Sequence, residues 1–344
     1  MLDNRARTLR ELAEHLDLSM ATVSRALAGH EQISLKTRQR VSDAARELGY
    51  VPNRAARQLA SGRSGFVGFL MPVRGPNFVD SYLGEFITGL GEGLVEHGLD
   101  LFLATVQQGQ SELDVLRHVV ESGRADGMVV PRIAEGDQRL AYLSMHKFPF
   151  VSHGRLLSGT EHNWLDSDGE VAFAEAFELL YANGHRHIGM LTITEPMSFR
   201  HFREQGLHIA IEKKGDPDIR LSVASCPRFD REAGMAAAQS LLSMPDRPTA
   251  IIGLFDEIAI TVMEEANRMG LNVPRDLSVI GFDNITASAY APPGLTTFDA
   301  RIRTSAREIA HMLVTAIQDR PKEPITRLVR PELVLRASHG PAPT

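Results

Sequence analysis

The chain has 344 residues, 43% hydrophobic and 23% charged, with a formal net charge of −6 and one cysteine, Cys226. That length allows two or three separate cores, and a single cysteine excludes an intrachain disulfide framework. No apolar run reaches the roughly 18 residues of a bilayer span, and the opening MLDNRARTLRELAEHL mixes charges without an apolar stretch, so no secretory signal is predicted and a reducing cytoplasm is the expected compartment.

The charge is uneven. Residues 1–62 hold ten Lys/Arg against seven Asp/Glu, a net of +3, which leaves −9 on the remainder. A basic head on an acidic body suits a nucleic-acid reader with a separate regulatory part. In the head, Thr8-Leu-Arg-Glu11 is a capping box, and Leu9, Leu12, Ala13 and Leu16 then recur at helical spacing. Asp17-Leu18 breaks this first helix. Ser19 caps a second with Val23, Ala26 and Leu27 inward and Gly29 at its end, and Ser34 caps a longer third with Val41, Ala44, Ala45 and Leu48 inside.

Two short helices joined by a tight turn make a helix-turn-helix, whose second helix enters the DNA major groove. With Val23 and Ala26 buried, Met20, Ala21, Ser24 and Arg25 face outward, with Ser19 and Thr22 beside the phosphates. Arg25 is a candidate for bidentate pairing with guanine. GYVPNRAARQLASG follows, where Asn53 to Leu59 predicts a helix too short to stand alone in water, with Arg54 and Arg57 along it. Such a segment folds on meeting a partner, and minor-groove DNA with Leu59 as an apolar wedge meets that need.

TLRELAEHLDLSMATVSRAL, ISLKTRQRVSDAARELGYVPNRAARQLASG and, further on, SVIGFDN and LTT resemble the lactose-repressor (LacI/GalR) family of bacterial transcription regulators over nearly the whole chain. The resemblance implies that Met20, Ala21 and Arg25 read bases. It places Thr8, Ser19, Thr22, Ser24, Asn53 and Arg54 near the DNA backbone, and Ala56 and Leu59 on a hinge helix.

From Gly65 onward apolar runs such as FVGFLMPV, LDLFLATV and ADGMVVP alternate with amphipathic helices, and the pattern repeats after Asp168 with HRHIGMLTI, TAIIGLF and LSVIGFDN. Strand–helix alternation predicts parallel sheets with helices on both faces. The expected fold is therefore an all-α helix-turn-helix domain with a hinge helix, then a two-lobed α/β domain that resembles the periplasmic sugar-binding fold. Its expected parts are residues 1–52, 53–64 and 65–344. The first lobe takes about 65–165 and 297–322, and the second about 166–296 and 323–338.

Ligands of open α/β sheets sit past the carboxyl ends of the strands. Reading those ends gives Val73 to Phe78, His153 and Arg155, Trp164 to Asp166, Thr192 to Phe199, Phe255 and Asp256, and Asp283, with Arg203 on a following helix. Carboxylates and a guanidinium each grip two hydroxyls, and aromatic faces cover a sugar's C–H surface. The resemblance places Arg203 and Asp283 on effector-contacting positions and puts Phe255 where the family often carries Asn. Trp164 reads either as a pocket wall or as a plug between the lobes.

Enzyme chemistry is not indicated. Walker A, H-E-x-x-H and G-x-S-x-G patterns do not occur, Asp168 reads as a helix cap, GLGEG lies within a helical pattern, and neither His185-Arg186-His187 nor Cys226 has fitting partners, so no metal or cofactor is expected. The predicted protein is a dimeric, sequence-specific repressor of a carbohydrate-utilisation operon that a small sugar, a glucoside or disaccharide, releases from its operator. The alternative keeps the architecture and changes the effector to a phosphosugar or nucleobase, as inducer or corepressor.

Overall fold

The computed structural model describes residues 8–27, 29, 31–51, 62–73, 81–159 and 161–343. The chain divides into two units, Met1–Gly65 and Phe66–Thr344. Among the described residues no helix is long and apolar enough to cross a membrane.

In the head, α1 (Leu9–Leu16), α2 (Met20–Leu27) and α3 (Leu35–Glu47) enclose one core, in which Leu12, Leu16, Val23 and Val41 are the largest buried members. The capping box closes as the sequence predicts: Glu11 N donates to Thr8 Oγ1 at 3.2 Å and Thr8 N to Glu11 Oε2 at 3.0 Å. Asp17 turns left-handed at φ 52° and ends α1. Arg40 Nη2 then donates to the Leu16 carbonyl at 2.8 Å, so α3 satisfies a helix-end acceptor and fixes the angle of the turn. Ser19 Oγ accepts from Thr22 N at 3.1 Å and starts α2.

The second unit runs β1 (Phe66–Pro72), α4 (Ser81–Val95), β2 (Asp100–Val106), α5 (Glu112–Glu121), β3 (Gly127–Pro131), α6 (Gln138–Met145), β4 (Phe150–His153) and β5 (Asn163–Ser167). It continues with α7 (Gly169–Ala182), β6 (His187–Ile193), α8 (Ser198–Lys214), β7 (Arg220–Cys226), α9 (Arg231–Leu242), β8 (Ala250–Gly253), α10 (Asp256–Arg268) and β9 (Ser278–Ile280). Last come α11 (Thr286–Tyr290), β10 (Thr297–Asp299), α12 (Ile302–Gln318), β11 (Thr326–Val329) and β12 (Glu332–Val334). One parallel sheet has the order β11-β5-β4-β3-β1-β2 and a second the order β7-β6-β8-β9. Each anchors one lobe.

The lobe boundaries differ from the expected ones at the C-terminal side. Strand β11 lies in the first sheet, paired parallel with β5 from Thr326↔Trp164 to Val329↔Ser167, so residues 326–329 belong to the first lobe. Strand β10 pairs antiparallel with β12 and runs beside the second sheet, where Thr296 O accepts from Gly281 N at 2.9 Å, so 297–299 belong to the second. The reason is edge completion: β5 would otherwise end the first sheet with its backbone groups unpaired, and β11 covers them. The chain therefore passes between lobes after β5, between β10 and α12, and between β11 and β12.

The run GLGEG belongs to helix packing. A Cβ on Gly89 would lie 2.0 Å from the Arg303 carbonyl oxygen and one on Gly93 2.7 Å from the Ala310 Cβ, whereas one on Gly91 meets nothing within 4 Å. Gly89 and Gly93, one turn apart, thus let α4 lie directly on α12. Gly93→Ala should destabilise the protein by about 1–3 kcal/mol through overpacking. Gly91→Ala should stabilise it by up to about 1 kcal/mol through helix propensity. Urea denaturation of both variants checks the pair; equal effects would refute the packing role.

Candidate nucleic-acid interface and ligand cleft

On α2 the sequence and the fold agree about which side faces out. Val23 and Ala26 are buried, while Met20, Ala21, Ser24 and Arg25 are exposed, Met20 to 50%. Thr22 is half-buried, with Oγ1 2.8 Å from Ser19 Oγ. Thr8 is exposed at the start of α1. The face carries a guanidinium, a thioether, a methyl and hydroxyls at helix spacing, which suits contact with base edges and phosphates. Asn53, Arg54, Ala56 and Leu59 lie outside the described residues, as does Phe78 in the second unit.

The second unit holds a cleft where the carboxyl ends of both sheets meet. Its inner part is a cavity of about 50 Å³ to which the first lobe contributes Tyr82, Arg132, His153 and Asp166, and the second Phe199, Arg203, Phe255, Phe282 and Asp283. It opens into a wider space of about 1120 Å³ that shares Tyr82, Arg228, Phe255 and Asp283. Arg203 sits deepest among the cations at 8% exposure. Its Nη1 donates to the Leu254 carbonyl at 2.5 Å, its Nη2 is 3.7 Å from Asp283 Oδ1, and its guanidinium lies 3.7 Å from the Phe282 ring centre and 4.9 Å from that of Phe199. Those rings supply cation–π attraction where water is excluded.

Burial dominates the electrostatics. It pushes the Asp283 carboxyl up to about 8 and that of Asp166 to about 7, despite Arg203 near both. Burial, with Arg203 and Arg132 nearby, depresses His153 to about 3, so its imidazole is neutral. Tyr82 Oη hydrogen-bonds its Nδ1, and its Nε2 is buried without a hydrogen-bond partner. Near neutral pH the cavity therefore presents carboxyls able to donate as well as accept, one open imidazole nitrogen, and a fixed cation between rings. This is a set for binding hydroxyl groups.

Of the sequence candidates, His153, Asp166, Phe199, Arg203, Phe255 and Asp283 come together here. Three others require correction. Arg155 is off the cavity wall: it binds Glu170 Oε2 at 2.5 Å, approaches Asp166 Oδ2 at 3.4 Å and lies 4.0 Å from the Phe202 ring centre, so it steadies Asp166 from behind. Asp256 is fully buried, and its carboxylate accepts from Ile285 N at 2.9 Å, Ser288 Oγ at 2.5 Å and Thr297 Oγ1 at 2.6 Å. It staples the segments beside β9 to α10. Trp164 lies near the start of β5 rather than at its carboxyl end, and borders a separate depression with Leu156, His162 and Pro324. Two residues of strand, about 6–7 Å, separate it from Asp166.

The sequence reading passed over Tyr82, Arg132, Arg228 and Phe282. Arg132 and Arg228 stand just past β3 and β7, so the strand-end rule applied to every strand finds both. Tyr82 sits on a helix that follows a strand end, where nothing local marks it. Elsewhere, His185 is fully buried and bonds Thr249 Oγ1 at 2.8 Å and Ser278 Oγ at 3.1 Å, a structural role. Among the described residues no cluster of His, Cys, Asp or Glu is placed to hold a metal ion.

Both units have counterparts among known proteins. Residues 8–53 match the model of bacterial regulatory proteins, lacI family, and residues 177–339 that of a periplasmic binding protein-like domain. The HTH-type transcriptional regulator AglR of Rhizobium meliloti (strain 1021) is 34% identical over 97% of this chain and 95% of its own length. The HTH-type transcriptional repressor CytR of Escherichia coli (strain K12) is 31% identical over 97% and 96% respectively. The solved transcriptional regulator CelR–cellobiose complex superposes with a TM-score of 0.71 at 27% identity, covering 97% of this chain and 100% of that one.

The raised carboxyls make stability depend on pH. Asp283 keeps its proton to about pH 8 in the folded chain and loses it near the ordinary carboxyl value of 3.8 when unfolded, so the folded state binds the extra proton between these values. Stability must then fall as pH rises, by about 1.4 kcal/mol per unit for each such proton. Above pH 6.5 the depressed His153 no longer opposes this trend, because it is then largely neutral in the unfolded chain as well. Asp283→Asn should therefore flatten the loss of melting temperature between pH 6.5 and 8 in calorimetry. An unchanged slope would show that Asp283 is ionised in the fold.

Proposed function

The chain belongs to the lacI family of bacterial regulatory proteins, and from that footing we propose that it is a dimeric repressor of a carbohydrate-utilisation operon, released from its operator in the cytoplasm by a small sugar. Residues 1–52 read the DNA, and residues 65–344 bind the effector and carry the dimer contacts. The observation that carries the sugar reading is the lining of the inner cavity, where the Asp166 and Asp283 carboxyls, the His153 imidazole with its open Nε2 and the ring-stacked Arg203 guanidinium converge. Polyhydroxylated ligands satisfy such groups without bringing a charge of their own. The wider outer space has room for a glucoside or disaccharide against the polar inner lining, and the complex of CelR with cellobiose supports that class.

One head presents a single short reading helix, so strong specificity needs two heads on a twofold axis and a pseudo-palindromic site. Control then follows from linkage. A sugar that favours a lobe arrangement unsuited to operator binding lowers DNA affinity by the factor that DNA lowers sugar affinity.

Fluorescence anisotropy on the protein's own promoter DNA, with cellobiose and a panel of α- and β-glucosides, tests the proposal. One of the sugars should weaken binding, and a panel without effect would refute the sugar reading. Arg25→Ala should cost about 1–3 kcal/mol of operator affinity, roughly 5- to 150-fold, with sugar binding intact. Retained sequence preference in that variant would remove Arg25 from base recognition. Asp283→Ala should bind operator normally and fail to respond to the sugar; release at wild-type sugar concentrations would move the effector site elsewhere.

A further inference from the structure

Past the carboxyl end of β3, residues 132–137 leave the first sheet and reach the second lobe beside the cavity. There the Ile133 carbonyl accepts from Ser198 N at 3.1 Å, and Glu135 N donates to the Pro196 carbonyl at 3.0 Å. Ala134 and Met197 face each other as an antiparallel pair between these bonds. Ser198 is the first residue of α8, the helix that carries Phe199 and Arg203 into the cavity, and Ile133 lines that cavity from the other lobe. Both bonds lie near the upper end of the usual N–H···O range of about 2.7–3.2 Å, so a small opening of the cleft takes both out of it together.

The first-lobe side is held in shape by a buried ion cluster. Asp137 caps α6 by accepting from Arg139 N at 2.9 Å, and also accepts from Ala134 N at 3.2 Å. Arg139, whose side chain is 11% exposed, binds Asp137 Oδ2 at 2.6 Å and Glu112 Oε2 at 2.5 Å. It also donates to the carbonyls of Pro131 at 3.4 Å and Arg132 at 3.2 Å. A loop fixed in this way loses little further entropy on pairing across the cleft.

We propose that residues 133–135 and 196–198 form a main-chain clasp between the lobes that governs closure of the effector cleft. Its consequence for DNA binding rests on the reading of the chain as an effector-controlled repressor.

The two bonds flank Ala134 and Met197 as a non-hydrogen-bonded pair, in which Cα atoms stand about 4.5 Å apart, within the span of a disulfide. The Ala134→Cys, Met197→Cys double variant of the full chain tests the clasp, because the native Cys226 is buried and does not compete. With excess oxidised glutathione the two introduced thiols should lose their hydrogens to form one disulfide, reducing one glutathione disulfide to two glutathione thiols. Thiol titration and mass read the change, and dithiothreitol reverses it. A folded variant whose thiols stay free, or carry only glutathione, overturns the clasp. The oxidised form should hold one operator affinity regardless of the glucoside that releases the wild type, and the reduced form should respond to it. An oxidised form that responds like the wild type overturns control of closure by the clasp. If no sugar releases the wild type, the effector reading fails, and disulfide formation still decides the clasp.

Ser198→Pro removes one bond at a helix position that tolerates proline, after Met197 at φ −83° and ψ 140°, the extended shape that precedes proline readily. Hydrogen exchange at the Glu135 amide should quicken by roughly tenfold or more while the core strands stay protected. An unchanged rate at Glu135 overturns the proposal.

Discussion

Arg203 is the constraint around which the second unit is arranged. Its guanidinium is held at 8% exposure, where burial works against its charge and lowers its proton affinity. The chain answers with a carbonyl at the end of β8, the Asp283 carboxyl and the rings of Phe282 and Phe199, drawn from separate segments of the second lobe. Bringing the helix that carries Arg203 close enough requires two bare positions. A Cβ on Gly169 would stand 2.7 Å from the Arg203 Cγ, and one on Gly206 2.2 Å from the Glu170 carbonyl oxygen. Asp166, across the cavity on the first lobe, feels the same cation. One side chain therefore ties helix packing, strand ends and the electrostatics of the cleft to each other.

The surrounding polar groups divide by what remains open to a ligand. Asp256 and Asp283 lie near each other in the fold, both raised by burial, yet they serve differently. Asp256 spends its oxygens on three internal donors and acts as a fastening. Asp283 has only the distant approach of Arg203 Nη2, 3.7 Å from its Oδ1, and a backbone at φ 112°, a conformation that L residues rarely adopt. Unusual backbone angles persist where the surrounding structure enforces them, and they gather at functional sites.

Much of this was legible in the sequence because it is written locally. Thr8, Ser19 and Ser34 announce helix starts through their own hydroxyls, and the spacing of Val23 and Ala26 fixes the outward side of α2. His153, Arg203, Phe255 and Asp283 follow from strand ends and family resemblance. What failed depends on neighbours distant in the chain. Trp164 and Asp166 look alike in a strand-end reading, and the strand's actual length decides that one reaches the cleft and the other does not. Asp256 looks like a ligand contact until Ser288 and Thr297 arrive from the following segments. The return of β11 to the first sheet is a matter of which edge stood open, and no pattern within Thr326–Val329 states it.

The clasp is built from main-chain atoms, and this has an evolutionary side. Its bonds name no side chain at residues 133–135 or 196–198, and they ask only for an amide hydrogen at 135 and 198. Lineages that retool the cavity for other effectors can therefore exchange the wall residues while inheriting the same closure. The signature such a contact leaves in sequences lies beside it, in the Glu112, Asp137 and Arg139 cluster that shapes the loop, so the same mechanics can persist beneath diverging specificity.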